Sequence, residues 1–164
     1  MSQSQGGKAN RTGSVLEAIV TSTLSTHGFE VVLYREYQKE PTRYGTELLL
    51  RNVPYTTLYG TRGFTEFLIR SERYNLETRI ECKWQQSAGS VDEKLPYTYL
   101  SCAESVPEDD IIILIDGDGF RDGAKSWIRE AAAQRRYIPA ECPGKSIKVM
   151  SSTEFLTWVN NMIK

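Results

Sequence analysis

Several features that define common classes of proteins and sites are scarce in this sequence. Its 164 residues include one histidine, His27, and three widely spaced cysteines with no Cys-x-x-Cys pair. This scarcity argues against a zinc site and against histidine-based acid–base catalysis, and it favours free thiols in a reducing compartment. We therefore expect a cytoplasmic protein. The longest apolar run, residues 111 to 115, is too short to cross a bilayer, and the polar N-terminal residues predict no secretory signal.

A strong charge of either sign is also missing. The formal net charge is −1, so a nucleic-acid partner would have to be held by a local patch rather than by bulk charge. With 40% apolar and 25% charged residues, the composition is that of a globular protein. We expect residues 1 to 13 to form a flexible N-terminal tail and residues 14 to 164 to form a single domain.

Helical and strand patterns alternate along the chain, which is typical of an α/β domain. Helices are predicted at residues 14 to 27, from about 94 to 105, at 122 to 136 and at 151 to 164. Strands are predicted at residues 29 to 37, 64 to 70, 76 to 85, 111 to 116 and 147 to 150. The expected architecture is a mixed sheet flanked by helices.

Local signals define some of these boundaries. Ser14 and Ser151 each precede a glutamate by three residues, which is the capping-box pattern of a helix start, and Asp122 can cap a third helix. Residues 47 to 52 fit either a helix or a strand, and Pro54 is predicted to interrupt that element.

The strand that ends at Gln85 carries an unusual alternation. Glu81, Lys83 and Gln85 occupy every second position, so a carboxylate, an ammonium and an amide share one face. Cys82 and Trp84 occupy the opposite, apolar face. A solvated strand face with a modest Glu81–Lys83 ion pair would explain the same pattern.

A second carboxylate favours a chemical interpretation of this face. Glu66 lies on the preceding strand, and the short connection between the two strands predicts an antiparallel hairpin. If Glu66 and Glu81 converge, their mutual repulsion calls for a cation between them. Oxygen ligands of this kind suit Mg²⁺ or Mn²⁺, which can polarise a phosphate while Lys83 orients an attacking water. Metal-assisted phosphodiester hydrolysis is the resulting hypothesis.

These residues resemble the motif of the PD-(D/E)XK nuclease superfamily, in which an acid on one strand is followed by (D/E)-x-K on the next. Glu66 in FTEFLI matches the first acid, and Glu81 and Lys83 in IECKWQ match the second acid and the lysine. Gln85 matches a glutamine that recurs two residues after the lysine. The segment GSVDEKLPY, residues 89 to 97, resembles phage and restriction-type members, and the order of elements fits over about residues 14 to 120.

One position departs from the family pattern. Thr65-Glu66 stands where the family usually has proline-aspartate, and Asp92 and Glu93 are nearby alternatives for the first acid.

The resemblance implies a restriction-endonuclease-like three-layer core and a metal-dependent endonuclease that acts on DNA. It implies that Mg²⁺, for which Mn²⁺ can substitute, is held by Glu66, Glu81 and the backbone carbonyl of Cys82. Lys83 would position the attacking water, and Gln85 would support the site.

Three further residues follow from the resemblance, each with an ordinary alternative role. Glu17 would assist metal binding, or it would only complete the capping box at the start of the first helix. Ser90 and Lys94 would contact a phosphate of the substrate, or they would serve turn and helix-start chemistry.

Several functional readings stay open at this point. We favour a homodimer, because cutting both strands with one small domain requires two copies or repeated nicking. The alternatives to a DNA endonuclease are a junction resolvase or nickase of the same fold, and a catalytically idle DNA-binding or assembly subunit.

The segment DGDGFRDG, residues 116 to 123, could suggest a calcium loop or a dinucleotide loop. It lacks the ligand spacing of the first and the third glycine of the second, so a strand-to-helix turn is its better interpretation.

Overall fold

In the part of the chain that the structure describes, the sheet has six strands, which neighbour one another in the order in which they occur in the chain. The structure is a computed structural model that describes residues 6 to 88 and 91 to 164, with side chains from residue 15 onward. The strands are β1 (Glu30–Leu33), β2 (Glu47–Thr56), β3 (Arg62–Ser71), β4 (Leu76–Trp84), β5 (Asp110–Asp116) and β6 (Ser146–Met150). Strands β2, β3 and β4 form an antiparallel meander, whereas β1 is parallel to β2, and β5 and β6 continue parallel to β4.

Helices cover both faces of this sheet. They are α1 (Gly6–Thr26), α2 (Tyr34–Lys39), α3 (Lys94–Glu104), α4 (Asp122–Ala133) and α5 (Ser152–Met162). Alternate residues of β5 show the two faces: Ile112 and Leu114 pack with α1 and α5, while Ile113 packs with α3 and α4. The predicted α/β architecture, a mixed sheet between helical layers, is confirmed. No helix in the described part of the chain is long and apolar enough to span a membrane.

The first helix begins earlier than the sequence predicted. Of the segment expected to be a tail, residues 6 to 13 belong to α1, and residues 1 to 5 lie outside the described residues. Ser14 is therefore inside the helix, so the predicted capping box with Glu17 is wrong. The corresponding prediction for α5 is confirmed, because Ser151 and Glu154 form both hydrogen bonds of a capping box.

The predicted strand at residues 29 to 37 is only half strand. It ends at Leu33, and the chain turns into α2, which places Tyr34 and Tyr37 one helical turn apart against an apolar cluster formed by β1, β2 and β3. Asp122 is the first residue of α4 rather than its N-cap, which is Arg121. A carboxylate in that first turn still interacts favourably with the helix dipole.

Pro54 does not interrupt its element, because β2 runs through it. The pairing of β1 with β2 stops at Arg51, so beyond that residue β2 is an edge strand on one side. A proline is tolerated there because no neighbouring strand needs its missing N–H.

One arginine ties together the strands on the α3 side of the sheet. Arg79 on β4 is buried, and it donates hydrogen bonds to the carbonyl oxygens of Val53 (3.1 Å) and Pro54 (3.3 Å) and to the hydroxyl of Thr65 (3.1 Å). Its Nε and Nη2 donate to the carboxylate of Glu108 at 2.7 and 2.8 Å. This bidentate pair satisfies a charge that would otherwise be costly to bury.

We expect Arg79→Met to lower the free energy of unfolding by about 3–5 kcal/mol, because it leaves the Glu108 carboxylate buried without its partner. Adding Glu108→Leu should recover a large part of the loss. Urea denaturation measures both effects, and Arg43→Met, which removes an exposed ion pair with Glu40, is the control with an expected change of about 0–1 kcal/mol. A double variant no more stable than Arg79→Met would contradict this explanation.

Candidate active site

The strand pairing of the antiparallel meander is interrupted at Glu66. The β2–β3 register continues on both sides of Asn52 and Glu66 without pairing them, and Asn52 has φ 56°, in the left-handed region that few residues adopt. The β3–β4 ladder ends at the Phe67–Ile80 pair, one position short of Glu66. Glu66 thus occupies a position that is unpaired in both ladders, and its side chain reaches across to the backbone of β4.

The carboxylate of Glu66 lies against the next strand. Its Oε2 accepts a hydrogen bond of 2.8 Å from the backbone N–H of Cys82, the residue that follows Glu81. Burial and the nearby carboxylate of Glu81 raise the pKa of Glu66 to about 8, although Lys83 and the Cys82 N–H favour its ionised form. The structure therefore brings Glu66 to the Glu81-x-Lys83 segment.

Glu81 and Lys83 share one face of β4 and are in direct contact. Glu81 is 9% exposed, and Lys83 Nζ donates a hydrogen bond to its Oε1. The other oxygen, Oε2, is buried and finds no hydrogen-bond partner among the described residues. Although burial disfavours the charged ammonium, the carboxylates of Glu81 and Glu66 raise the pKa of Lys83. Lys83 is therefore a cation at neutral pH.

The opposite face of β4 belongs to the core, as predicted. Cys82 and Trp84 pack against the apolar cluster that includes α1 and α5. Glu81 and Lys83 line a cleft of about 1430 Å³ on the α3 side of the sheet, to which Cys82 and Trp84 also contribute atoms. The alternation of the sequence thus separated the packing residues from the polar ones.

Gln85 and Lys94 line the same cleft, where α3 begins. The side-chain amide of Gln85 donates to the carbonyl oxygen of Ser87 at 2.9 Å. Lys94 is exposed in the first turn of α3. Ser90, the other predicted phosphate contact, lies outside the described residues.

The remaining acidic candidates are less directly placed. Glu17 lines a smaller cavity together with Glu66, but its carboxylate lies 3.8 Å from Arg51 Nη2. Asp92 accepts a hydrogen bond of 3.1 Å from the backbone N–H of Arg121, and Glu93 is exposed. Glu66 is therefore the acid that contacts the Glu81-x-Lys83 segment.

The glycine-rich turn after β5 supports the end of β4. A Cβ at Gly117, which has φ +96°, would lie 2.1 Å from the carbonyl oxygen of Gln85. The N–H of Gly119 donates to that same oxygen at 2.8 Å, and Gln85 N–H donates to Asp116 O at 3.2 Å. The glycines of DGDG are accounted for by this close backbone approach, and the strand-to-helix turn predicted for the segment is present.

The donor set can be tested against a divalent cation. Among the described residues, no three aspartate, glutamate, cysteine or histidine side chains form a metal-binding cluster. The carboxylates of Glu66 and Glu81 and the carbonyl of Cys82 are all oxygen donors, and the partnerless Oε2 of Glu81 has a coordination position free. Mg²⁺ commonly takes one or two carboxylates and completes its shell with water and phosphate oxygens, so these residues fit Mg²⁺ or Mn²⁺.

The raised pKa of Glu66 predicts the pH dependence of the metal-free protein. The folded state holds a proton on Glu66 up to about pH 8, whereas the unfolded chain releases it near the ordinary value of 4.5. The stabilising effect of that proton is therefore complete below 4.5 and is lost as the pH rises to about 8.

We accordingly expect the free energy of unfolding of the wild type, measured by urea denaturation in a chelator, to fall across this interval relative to Glu66→Gln. Glu77→Gln, an exposed glutamate earlier on β4, should keep the wild-type pH profile. Parallel profiles for the wild type and Glu66→Gln would show that Glu66 has no raised pKa.

Comparison with known protein families adds an independent finding to this geometry. Residues 8–163 match the PD-(D/E)XK nuclease superfamily domain. Searches of the curated proteins and of the solved structures returned no match. The match covers nearly the whole chain. Of the residues expected from that resemblance, Glu81 and Lys83 line the cleft, and Glu66 contacts the backbone of Cys82 between them. The chain therefore belongs to the PD-(D/E)XK nuclease superfamily.

Proposed function

We propose that this protein is a Mg²⁺-dependent endonuclease that hydrolyses phosphodiester bonds of DNA. The observation that carries the proposal is the cluster formed by Glu66, Glu81 and Lys83, in which one buried carboxylate oxygen has no partner among the described residues. Membership of a nuclease superfamily supports hydrolysis of nucleic acid as the reaction. DNA as the substrate and Mg²⁺ as the metal are our proposals.

The metal would be held by Glu66, Glu81 and the backbone carbonyl of Cys82. When bound, Mg²⁺ polarises a phosphate oxygen and lowers the pKa of a coordinated water. Glu66 would have to lose its proton to act as a ligand, since its pKa in the metal-free protein is about 8. Mn²⁺, which also prefers oxygen ligands, should substitute.

Lys83 would orient the attacking water and stabilise negative charge that develops on the phosphate. Its pKa is raised by Glu81 and Glu66 despite its burial, so it acts as a hydrogen-bond donor and not as a base. Its contact with Glu81 keeps the ammonium beside the ligand that would bind the metal.

Residues around this cluster would position the substrate. Lys94 is suited to contact a phosphate, because it is a cation at the beginning of α3 that lines the cleft. Gln85 would support the cleft floor beside Lys83, and Glu17 would assist from the adjacent cavity next to Glu66. Ser90 is proposed for phosphate contact on its sequence position alone.

A homodimer would give the protein two such clusters, one for each strand of DNA. Each chain contributes a single set of Glu66, Glu81 and Lys83, so a monomer would cut one strand at a time. The order of products from a supercoiled plasmid distinguishes these cases. Direct appearance of linear DNA supports paired cutting, whereas accumulation of nicked circles supports a nickase.

Plasmid cleavage with Mg²⁺ tests the proposed chemistry. We expect Lys83→Ala and Glu81→Gln each to reduce the cleavage rate by about 100-fold or more. Lys83→Ala removes the cation that would stabilise the reacting phosphate, and Glu81→Gln removes the charge of a carboxylate that would bind the metal. Glu77→Gln on the same strand and Lys39→Ala on α2, both exposed, should cleave at the wild-type rate.

Two results would count against the proposal. Undiminished cutting by both Lys83→Ala and Glu81→Gln would show that these residues do not form the active site, whatever the substrate. Absence of cutting by the wild type on supercoiled, linear, nicked and four-way-junction DNA would instead favour an idle DNA-binding or assembly subunit. Preference for the four-way junction over linear duplex would favour a junction resolvase.

A further inference from the structure

Three large aromatic side chains are exposed near the mouth of the cleft. Tyr59 is 77% exposed, Phe64 46% and Tyr97 38%. They come from different elements: Tyr59 from the turn between β2 and β3, Phe64 from β3 and Tyr97 from the first turn of α3. We call these three residues the aromatic rim. Clusters of exposed aromatic rings are uncommon on a protein surface unless they bind something.

Two of the three rim residues, Tyr59 and Tyr97, contact each other across different elements. The rings of Tyr59 and Tyr97 are stacked, with centroids 5.9 Å apart and an interplanar angle of 22°. This stack joins the β2–β3 turn to α3 but leaves more than three quarters of Tyr59 exposed. Tyr59 therefore still presents an open surface, on a ring whose orientation is already fixed by its partner.

The rim is continuous with the candidate active site. Phe64 and Tyr97 line the same cleft as Glu81 and Lys83. The guanidinium of Arg62 lies 5.2 Å from the centroid of the Phe64 ring, which adds a cation beside the rim. A chain of phosphates entering the cleft would thus meet the exposed ammonium of Lys94 and the flat rings of the rim.

Unpaired nucleobases are the ligand that matches this combination. Stacking on aromatic rings beside a cationic phosphate track is the usual way in which proteins bind single strands, and it works with any base because every base has a flat π face. In an intact duplex the bases are stacked inside the helix, and exposing one costs a few kcal/mol. The rim would therefore find no exposed base to stack on in undistorted duplex DNA.

We propose that the aromatic rim stacks unpaired bases of the strand that enters the cleft. The preferred substrate is then single-stranded DNA, or the unpaired part of branched, gapped or supercoiled DNA. This inference rests on the proposed function of the same cleft, and it adds the structural class of DNA that the protein selects. The net charge of the chain is only −1, so a general attraction between the protein and DNA phosphates would not mask this preference for unpaired bases.

Binding without cutting tests the inference. On a Glu81→Gln background, fluorescence anisotropy compares a single-stranded oligonucleotide of about 12 nucleotides with an abasic strand of the same length, which keeps the phosphates but lacks the bases. We expect Tyr97→Ala and Tyr59→Ala to weaken binding of the base-containing strand by about 5-fold to 150-fold, the range expected for losing one stacked base. Binding of the abasic strand should stay unchanged.

Two controls separate stacking from a general loss of structure. Tyr97→Phe keeps the ring and should bind the base-containing strand within about twofold of the parent protein. Leu156→Ala removes an exposed apolar side chain from α5, in the layer that packs on the other face of the sheet, and should change neither affinity. Equal weakening of both strands by the tyrosine variants, or no weakening at all, would overturn the inference.

The outcome also stays distinct from that of the proposed function. If the wild type cuts no DNA but the rim variants lose base-dependent binding, the rim stands and the nuclease proposal fails. If the wild type cuts intact duplex and the tyrosine variants cut it at the same rate without any base preference in binding, the nuclease stands and the rim fails.

Discussion

An excess of negative charge in a buried part of the sheet is the constraint on which the rest of this structure depends. The carboxylate of Glu66 accepts a hydrogen bond from the backbone N–H of Cys82, and the ammonium of Lys83 contacts the neighbouring carboxylate of Glu81. If Glu66, Glu81 and Lys83 were all ionised, one negative charge would stay uncompensated beside a carboxylate that is only 9% exposed. In the metal-free protein a proton on Glu66 relieves that excess, since its pKa is about 8. A divalent cation would relieve it more fully, because it supplies two positive charges to the same oxygens and leaves Lys83 free to face a phosphate.

Several residues around the cluster of Glu66, Glu81 and Lys83 shape the backbone on which these side chains are placed. The left-handed conformation of Asn52 coincides with the missing pair at Glu66, and Arg79 binds the hydroxyl of Thr65, the residue before Glu66. At the end of β4, the glycine turn contacts the backbone of Gln85. These residues have no chemical role in the proposed reaction. The β3–β4 ladder ends before Glu66, so the backbone N–H of Cys82 is available to the Glu66 carboxylate. In a regular antiparallel ladder that N–H would instead pair with the backbone of β3.

The parts of the structure that could be predicted from the sequence are those that depend on short-range periodicity. The apolar run of β5 predicted a strand buried on both faces, and the alternation in β4 placed Glu81 and Lys83 on one face, because a strand repeats every two residues. Contacts between distant segments could not be read in this way. The left-handed Asn52, the strand pairing that accommodates Pro54 and the buried Arg79 all depend on partners far along the chain. The early start of α1 has a different cause: its first turns carry no apolar stripe, so periodicity gave no reason to include them.

Calorimetric titration of the chelator-treated protein with Mg²⁺ at pH 7 tests the central claim most directly, because it measures the exchange of a proton for a metal without requiring a substrate. The account predicts binding accompanied by proton release, seen as an enthalpy that changes with the ionisation enthalpy of the buffer, since Glu66 must ionise to become a ligand. Glu81→Gln should weaken the binding, and Glu66→Gln should abolish the proton release. Absence of Mg²⁺ and Mn²⁺ binding, or binding of unchanged affinity and buffer dependence in both variants, would contradict the claim that these carboxylates form a metal site.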